Sequence, residues 1–395
     1  MEQSLKILFV INDLYTRGNG LAASARRTIA LLRERGHHVR ILSALPRDGD
    51  DCGVGMPEYV LPPLRIPLVA PLIASQGYAF ARAKRREIER ALAWADVVHL
   101  EEPFYLQAVV ARYARRRGVP VVATYHIHPE NLTASVCLDR ALPLNRAILE
   151  LWKRAIFNRS DLVQCPSRSV YERVSKLRVR APLLLLSNGV PLGEGVCADG
   201  RETGESAVVR VLVVGRYSRE KDQATILRAL RHSAHARSIQ LTFAGRGPTE
   251  HSLRASARRL LRRGVIAHPV RFAFMSADEL AREASSCDLY VHAARIEVEG
   301  LSALEVLRHG VVPIIARGPL TATSQFALSE DSVFEAGGAR ALARAIDAWI
   351  DRGPVGRQRE ARRYRGVGER YDIRACVARL EEAYRRLVFE GRARG

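Results

Sequence analysis

The chain has 395 residues, a formal net charge of +20, 47% hydrophobic residues and 26% charged residues. Its length suits two domains of ordinary size, and its apolar share excludes a disordered chain. No run of about 18 apolar residues occurs, so no membrane-spanning helix is expected, and the charged opening lacks the apolar stretch and small-residue cleavage site of a secretory signal.

Residues 5–12 form a short β-rich run, and residues 22–35 carry helical spacing that stops at Gly36, a natural cap. Strand-like stretches follow at 38–43, 96–100, 120–125, 161–165 and 183–186. Near-continuous apolar strands separated by helices specify a parallel sheet covered on both faces. Residues 193–206, rich in Gly, Glu and small polar side chains, read as a linker. The pattern then restarts, with strands at 208–214, 239–244, 270–275, 288–293 and 311–316 and helices at 222–231 and 251–263. Residues 357–390 read as one long basic helical stretch, and no internal repeat or low-complexity tract interrupts the chain. The expected architecture is α/β: two doubly wound Rossmann-like domains at residues 1–195 and 207–370, followed by a helix at 371–395. Ligands in such sheets bind beyond the carboxyl ends of the strands, which predicts a cleft between two facing domains.

The six cysteines, at 52, 137, 165, 197, 287 and 376, show no C-x-x-C pair and no metal-ligand spacing. They predict free thiols in a reducing cytoplasm and no bound metal. The positive charge is mostly arginine. It fits a compositional bias equally with attraction to nucleic acid, anionic lipid or a phosphorylated substrate.

Two segments of the second half carry chemistry. Gly215-Arg216 ends a strand and Lys221 follows five residues later, so two cations sit at the sheet's carboxyl edge. Such a pair suits a diphosphate, each charge-assisted hydrogen bond contributing roughly 1.5–3 kcal/mol; it also suits two solvated surface cations. After the strand at 288–293 comes Glu297-Val298-Glu299-Gly300-Leu301-Ser302-Ala303-Leu304-Glu305. Gly300 permits close backbone approach to a ligand, and a helix opening at Leu301 would aim its N–H groups at the same place. Glu305, one turn in, is positioned to accept from two ribose hydroxyls, and Glu297 lies where a sugar would sit. Ser302-x-x-Glu305 also reads as a capping box, which would account for Glu305 but not for Glu297.

Together Gly215-Arg216, Lys221, Glu297 and Glu305 resemble glycosyltransferase family 4. Ala244-Gly245-Arg246-Gly247-Pro248 is similar to that family's glycine loop near the nucleobase, and Asn188-Gly189-Val190 to the close of its first domain. The resemblance implies a GT-B fold whose C-terminal helix crosses back to the N-terminal domain. It implies an acceptor-binding first domain, a nucleotide-sugar-binding second domain and transfer with retention of configuration. Arg216 and Lys221 would stabilise the leaving diphosphate, Glu297 would orient the sugar, and no metal or other cofactor would be needed. Donor contacts are implied at Gly20, Gly215, Arg216, Lys221, Gly245, Gly247, Glu297, Gly300, Leu301 and Glu305.

In the first half, Gly18-Asn19-Gly20 follows the first strand and opens a helix, with Gly20 the position expected to face the diphosphate. His126, in Thr124-Tyr125-His126-Ile127-His128-Pro129-Glu130, matches a histidine that contacts the donor sugar in related enzymes. Its spacing to Glu130 resembles that of bacterial diacylglycerol glucosyltransferases. An apolar stretch at 64–74, with Tyr78 and Phe80, precedes Arg82, Lys84, Arg85 and Arg86, and Arg115-Arg116-Arg117 lies further on. These suit an anionic membrane surface or simply a buried loop beside a solvated helix.

The resulting expectation is a cytoplasmic, peripherally membrane-associated hexosyltransferase. It would take a UDP- or GDP-sugar donor and a lipid or cell-envelope glycan acceptor. The alternatives are a soluble acceptor, a nucleotide-sugar epimerase or hydrolase, and a basic nucleic-acid-binding protein. No nucleic-acid motif supports the last, and no G-x-G-x-x-G supports a dehydrogenase.

Overall fold

The computed structural model describes residues 3–16, 18–46, 49–64, 80–192 and 208–393. The expected linker at 193–206 and most of the apolar stretch at 64–74, with Tyr78, lie outside the described residues. The chain divides into two compact units, Met1–Gly189 with Ile373–Gly395, and Val190–Asp372.

The first unit holds β1 (Lys6–Val10), α1 (Gly20–Glu34), β2 (His38–Ala44), β3 (Tyr59–Leu61), α2 (Arg85–Trp94), β4 (Val97–Leu100) and α3 (Tyr105–Arg116). It continues with β5 (Val121–Thr124), α4 (Pro129–Thr133), α5 (Leu142–Ala155), β6 (Leu162–Cys165), α6 (Arg168–Lys176) and β7 (Leu183–Leu185). The strands pair in parallel in the order β3-β2-β1-β4-β5-β6-β7. The order reverses between β1 and β4, which is the switch point of a doubly wound sheet.

The second unit holds β8 (Val209–Val214), α7 (Gln223–Ala229), β9 (Ile239–Ala244), α8 (Glu250–Arg262), β10 (Arg271–Ala273), α9 (Ala277–Ser286) and β11 (Leu289–His292). After these come α10 (Leu301–Leu307), β12 (Val312–Arg317), β13 (Val333–Glu335), α11 (Ala339–Asp351) and α12 (Gly353–Glu369). Its parallel order β10-β9-β8-β11-β12-β13 repeats the same reversal, here between β8 and β11. Strands buried on both faces, such as Leu289-Tyr290-Val291-His292, explain the near-continuous apolar runs.

The expected single helix at 357–390 is in fact two, α12 and α13 (Ile373–Ala393), separated by residues 370–372. The periodic signal does not register that the two change partners. Ala361, Tyr364 and Val367 of α12 bury in the second unit's core. Val377, Leu380, Tyr384 and Val388 of α13 form a helical stripe in the first unit's core, beside Phe9 and Ile29. Glu381 fastens α13 further: Arg35 Nε donates to it at 2.5 Å, Arg385 at 2.7 Å, and His37 Nε2 lies 3.1 Å away. Burial would raise this carboxyl, but those three groups outweigh it and hold it at about 2.

Candidate functional site

In the second unit the loops after β8 and β11 flank the switch point. Arg216 and Lys221 come from the first loop, and Glu297 from the second. Lys221 Nζ pairs with Glu297 Oε2, and His292 Nε2 lies 3.2 Å from the same oxygen. Tyr290 OH meets His292 Nδ1 at 2.8 Å and so fixes the ring from behind. Burial alone would raise the Glu297 carboxyl; the charge of Lys221 and the bond to His292 overcome it and hold it at about 2. Burial pushes His292 down, and Glu297 only partly opposes this. The cluster therefore keeps Glu297 as a carboxylate at neutral pH.

The backbone locks Glu297 in place: its N–H donates to the Leu320 carbonyl at 2.7 Å and its carbonyl accepts from Ala322 at 2.9 Å. Gln223 Nε2 donates to the Arg216 carbonyl at 2.7 Å, tying the β8 loop to α7. Burial lowers the Arg216 pKa, and Glu220 partly restores it. Arg216 thus keeps its charge in a site poorer in water than the surface.

Glycine requirements here come from packing within the protein. Gly300 has φ 93, and an added Cβ would stand 2.1 Å from Thr323 Cγ2. On the side where a Cβ would stand, the close approach is made by Thr323. Gly245 and Gly247 are alike: a Cβ at Gly245 would fall 2.1 Å from the Gly215 carbonyl oxygen, and one at Gly247 2.3 Å from that of Tyr217. The glycine loop lets the ends of β8 and β9 lie backbone to backbone.

The helix opens where the sequence placed it, at Leu301, but its N-cap is Gly300 and no side chain caps it. Ser302 is therefore inside the helix, and the capping-box reading of Ser302 and Glu305 fails. Leu301, Ser302 and Glu305 share the partly exposed face, while Ala303, Leu304, Val306 and Leu307 are buried. The charges of both Glu297 and Glu305 act on Tyr290, which puts the two carboxylates of the motif in one neighbourhood. With seven residues α10 sums few peptide dipoles, so Arg216 and Lys221 carry most of the positive potential.

In the first unit Gly20 is the first residue of α1, exposed, with nothing within 4 Å of an added Cβ. Asn19 caps that helix by accepting from Leu21 N at 3.1 Å. His126 follows β5 and is largely buried; its Nε2 lies 2.6 Å from Glu101 Oε2. Glu130 is instead bound to Arg173, at 2.8 and 3.1 Å. The His126–Glu130 spacing therefore joins residues with separate partners.

Behind Glu101 lies a buried relay that composition and spacing did not reveal. Gln164 Nε2 donates to the Leu186 carbonyl at 3.0 Å, so its Oε1 faces Thr124 and accepts from that hydroxyl at 3.1 Å. Thr124 Oγ1 must then accept from His99 Nε2, 2.8 Å away, which leaves His99 Nδ1 to accept from Tyr384 OH at 2.5 Å. Burial pushes His99 down to about 4, in keeping with this neutral tautomer. Burial would raise Glu101, but His99 and His126 together lower it. His99, next to last in β4, and His292, last in β11, each stand two to five residues ahead of a glutamate; a polar residue near the end of an apolar strand was the available signal.

A family model described as Glycosyltransferase Family 4 matches residues 18–194, and one described as Glycosyl transferases group 1 matches residues 205–366. Curated proteins give no significant match. Among solved structures, sucrose-phosphate synthase from Thermosynechococcus elongatus is 17% identical, with 97% of this chain and 99% of that chain covered and a TM-score of 0.71. Anabaena HepE in complex with UDP and glucose is 15% identical over 96% of this chain and 99% of that one, with a TM-score of 0.68. The catalytic domain of cholesterol-alpha-glucosyltransferase from Helicobacter pylori is 36% identical. The match covers 41% of this chain and 98% of that one, at a TM-score of 0.38.

Proposed function

This chain belongs to the family 4-like glycosyltransferases, and from that premise we propose that it moves a hexose, with retention, from a UDP- or GDP-sugar to a membrane lipid or cell-envelope glycan. The observation that carries the donor reading is placement. Arg216 and Lys221 follow β8, and Glu297 follows β11, on either side of the point where strand order reverses. Anabaena HepE, which shares the fold, holds UDP and glucose.

In this reading the diphosphate binds at Arg216 and Lys221. An ammonium carries three N–H donors, so Lys221 can serve a phosphate oxygen while keeping Glu297. Glu297, held ionised, accepts from sugar hydroxyls, and Glu305 accepts from the ribose. The bond from the anomeric carbon to the diphosphate breaks, its electron pair staying on the phosphate oxygen. The acceptor hydroxyl attacks on the same face and passes its proton to that oxygen. Arg216 and Lys221 stabilise the charge as it develops, which is where preorganised cations have most effect. They supply what a divalent ion supplies elsewhere, so turnover is expected to survive EDTA. His126, steadied by Glu101, is the histidine that the family resemblance assigns to the donor sugar. The reaction belongs on the cytoplasmic side, where nucleotide sugars would be met, with the lipid acceptor at the inner membrane face.

A screen of UDP- and GDP-sugars for thermal stabilisation and slow hydrolysis tests the donor. At least one should stabilise the protein, and Arg216→Ala with Lys221→Ala should remove the effect. If no nucleotide sugar stabilises or is hydrolysed, the reading is wrong.

A further inference from the structure

Exposed apolar side chains cluster in the first unit. Among the described residues, five of the fifteen large apolar side chains left exposed fall within residues 136–151: Val136, Leu138, Leu142, Leu144 and Leu151. This segment continues directly from the β5 loop that carries His126, through α4 and a 3-10 turn, into α5.

The pattern of α5 shows two apolar faces. Asn145, Leu149 and Trp152 bury one of them. On the other, Leu144, Ala147 and Leu151 repeat at i, i+3, i+7, with Leu144 41% and Leu151 62% exposed. A surface helix ordinarily turns charged and polar residues outward. Arg140 precedes the helix and Arg154 flanks this face, with Arg146 and Lys153 further round α5; the four stand against only Asp139 and Glu150, and Glu150 is already shared by Lys153 and Arg154. Arg115 adds a further cation at the far end of α5, donating to the Asn158 carbonyl at 3.2 Å.

We propose that this face of α5, with the turn before it, is the surface by which the protein rests on an anionic lipid bilayer. The leucines enter the boundary between headgroups and acyl chains. The arginines, with long apolar stems and charged ends, reach the phosphates at its rim. Charge selects lipid over a second copy of the chain, because a copy would bring an equally basic rim against this one. The inference deepens the lipid-acceptor reading and rests on it for its purpose, yet binding to a bilayer is measured without any sugar transfer.

The test uses the full chain, sedimented with phosphatidylcholine vesicles or with vesicles one-quarter phosphatidylglycerol. The protein should partition to the anionic vesicles at least tenfold better than to the neutral ones. Leu144→Ser with Leu151→Ser should lower that partition tenfold or more, and Arg140→Glu with Arg154→Glu should abolish the preference for anionic lipid. These side chains are exposed, so melting temperature should stay unchanged in both variants. Absence of vesicle binding, binding that both variants retain, or a dimer in light scattering that the leucine variant dissolves would each overturn the proposal. Stabilisation by a nucleotide sugar, measured on the same preparations, reports separately on the donor reading.

Discussion

Replacing Glu297 with Gln keeps the shape of the side chain and removes its charge. The folded environment holds this carboxyl at about 2 against an ordinary 4.5. At about 1.4 kcal/mol per pH unit, that difference corresponds to roughly 3 kcal/mol of native-state stabilisation at pH 7. The folded value is depressed, so the stabilisation is fully present above pH 4.5 and disappears as pH falls towards 2. Gln does not titrate, so the stability gap between the two proteins should be roughly 3 kcal/mol at pH 7 and close to roughly 1.5 kcal/mol by pH 3. Urea unfolding read by pulsed hydrogen exchange and mass spectrometry on peptides from 289–307 follows the gap where the cluster lies. A gap under about 0.5 kcal/mol at pH 7, or one that widens on acidification, would refute the assignment of Lys221 and His292 as the groups holding Glu297 ionised.

Arg216→Ala with Lys221→Ala should abolish turnover and, by leaving the buried Glu297 carboxylate without its ammonium, lower the melting temperature of a still-folded protein; near-normal rates would end the diphosphate assignment. Glu305→Ala should raise the donor KM at least tenfold with little change in kcat, since it removes ribose contacts made before and during reaction; an unchanged KM in a folded variant would remove Glu305 from the ribose. Gly300→Ala meets both a φ of 93 and Thr323 Cγ2 at 2.1 Å, so it should cost about 2 kcal/mol or more in chemical denaturation. Adding Thr323→Ser removes the opposing methyl and should recover part of that loss; no recovery would mean that backbone strain alone is responsible.

The sheet was legible because strands buried on both faces write themselves as apolar runs, and 239–244 was placed to the residue. The three-residue edge strands Tyr59–Leu61 and Val333–Glu335 were not, whereas Leu183–Leu185 and Arg271–Ala273, equally short and also at edges, were placed because longer apolar runs contain them. Glu297, Lys221 and Arg216 were legible as a spacing. Their arrangement was not: spacing put Lys221 with Arg216 on a diphosphate, whereas the fold also gives Lys221 to Glu297. His99 and His292 were missed because one histidine in an apolar strand looks like any core histidine until its neighbours are known. Gly300 was noticed for close backbone approach, but a sequence does not say that Thr323 will return to that point.

The placement of α13 bears on the order of events during synthesis. The second unit is a continuous stretch, Val190–Asp372, whose two ends are bridged to each other, so every residue it needs has been made once Asp372 is made. The first unit, although begun earlier, lacks the helix that brings Tyr384 to His99 and Glu381 to His37 until a further turn or more of translation has passed. A ribosome adding about 5–20 residues each second completes the 21 residues of α13 within about 1–4 s of Asp372, so the last helix of the older unit is joined after every residue of the younger one. Until then the apolar groove that α13 will fill stays open on the nascent chain, a natural binding site for a chaperone.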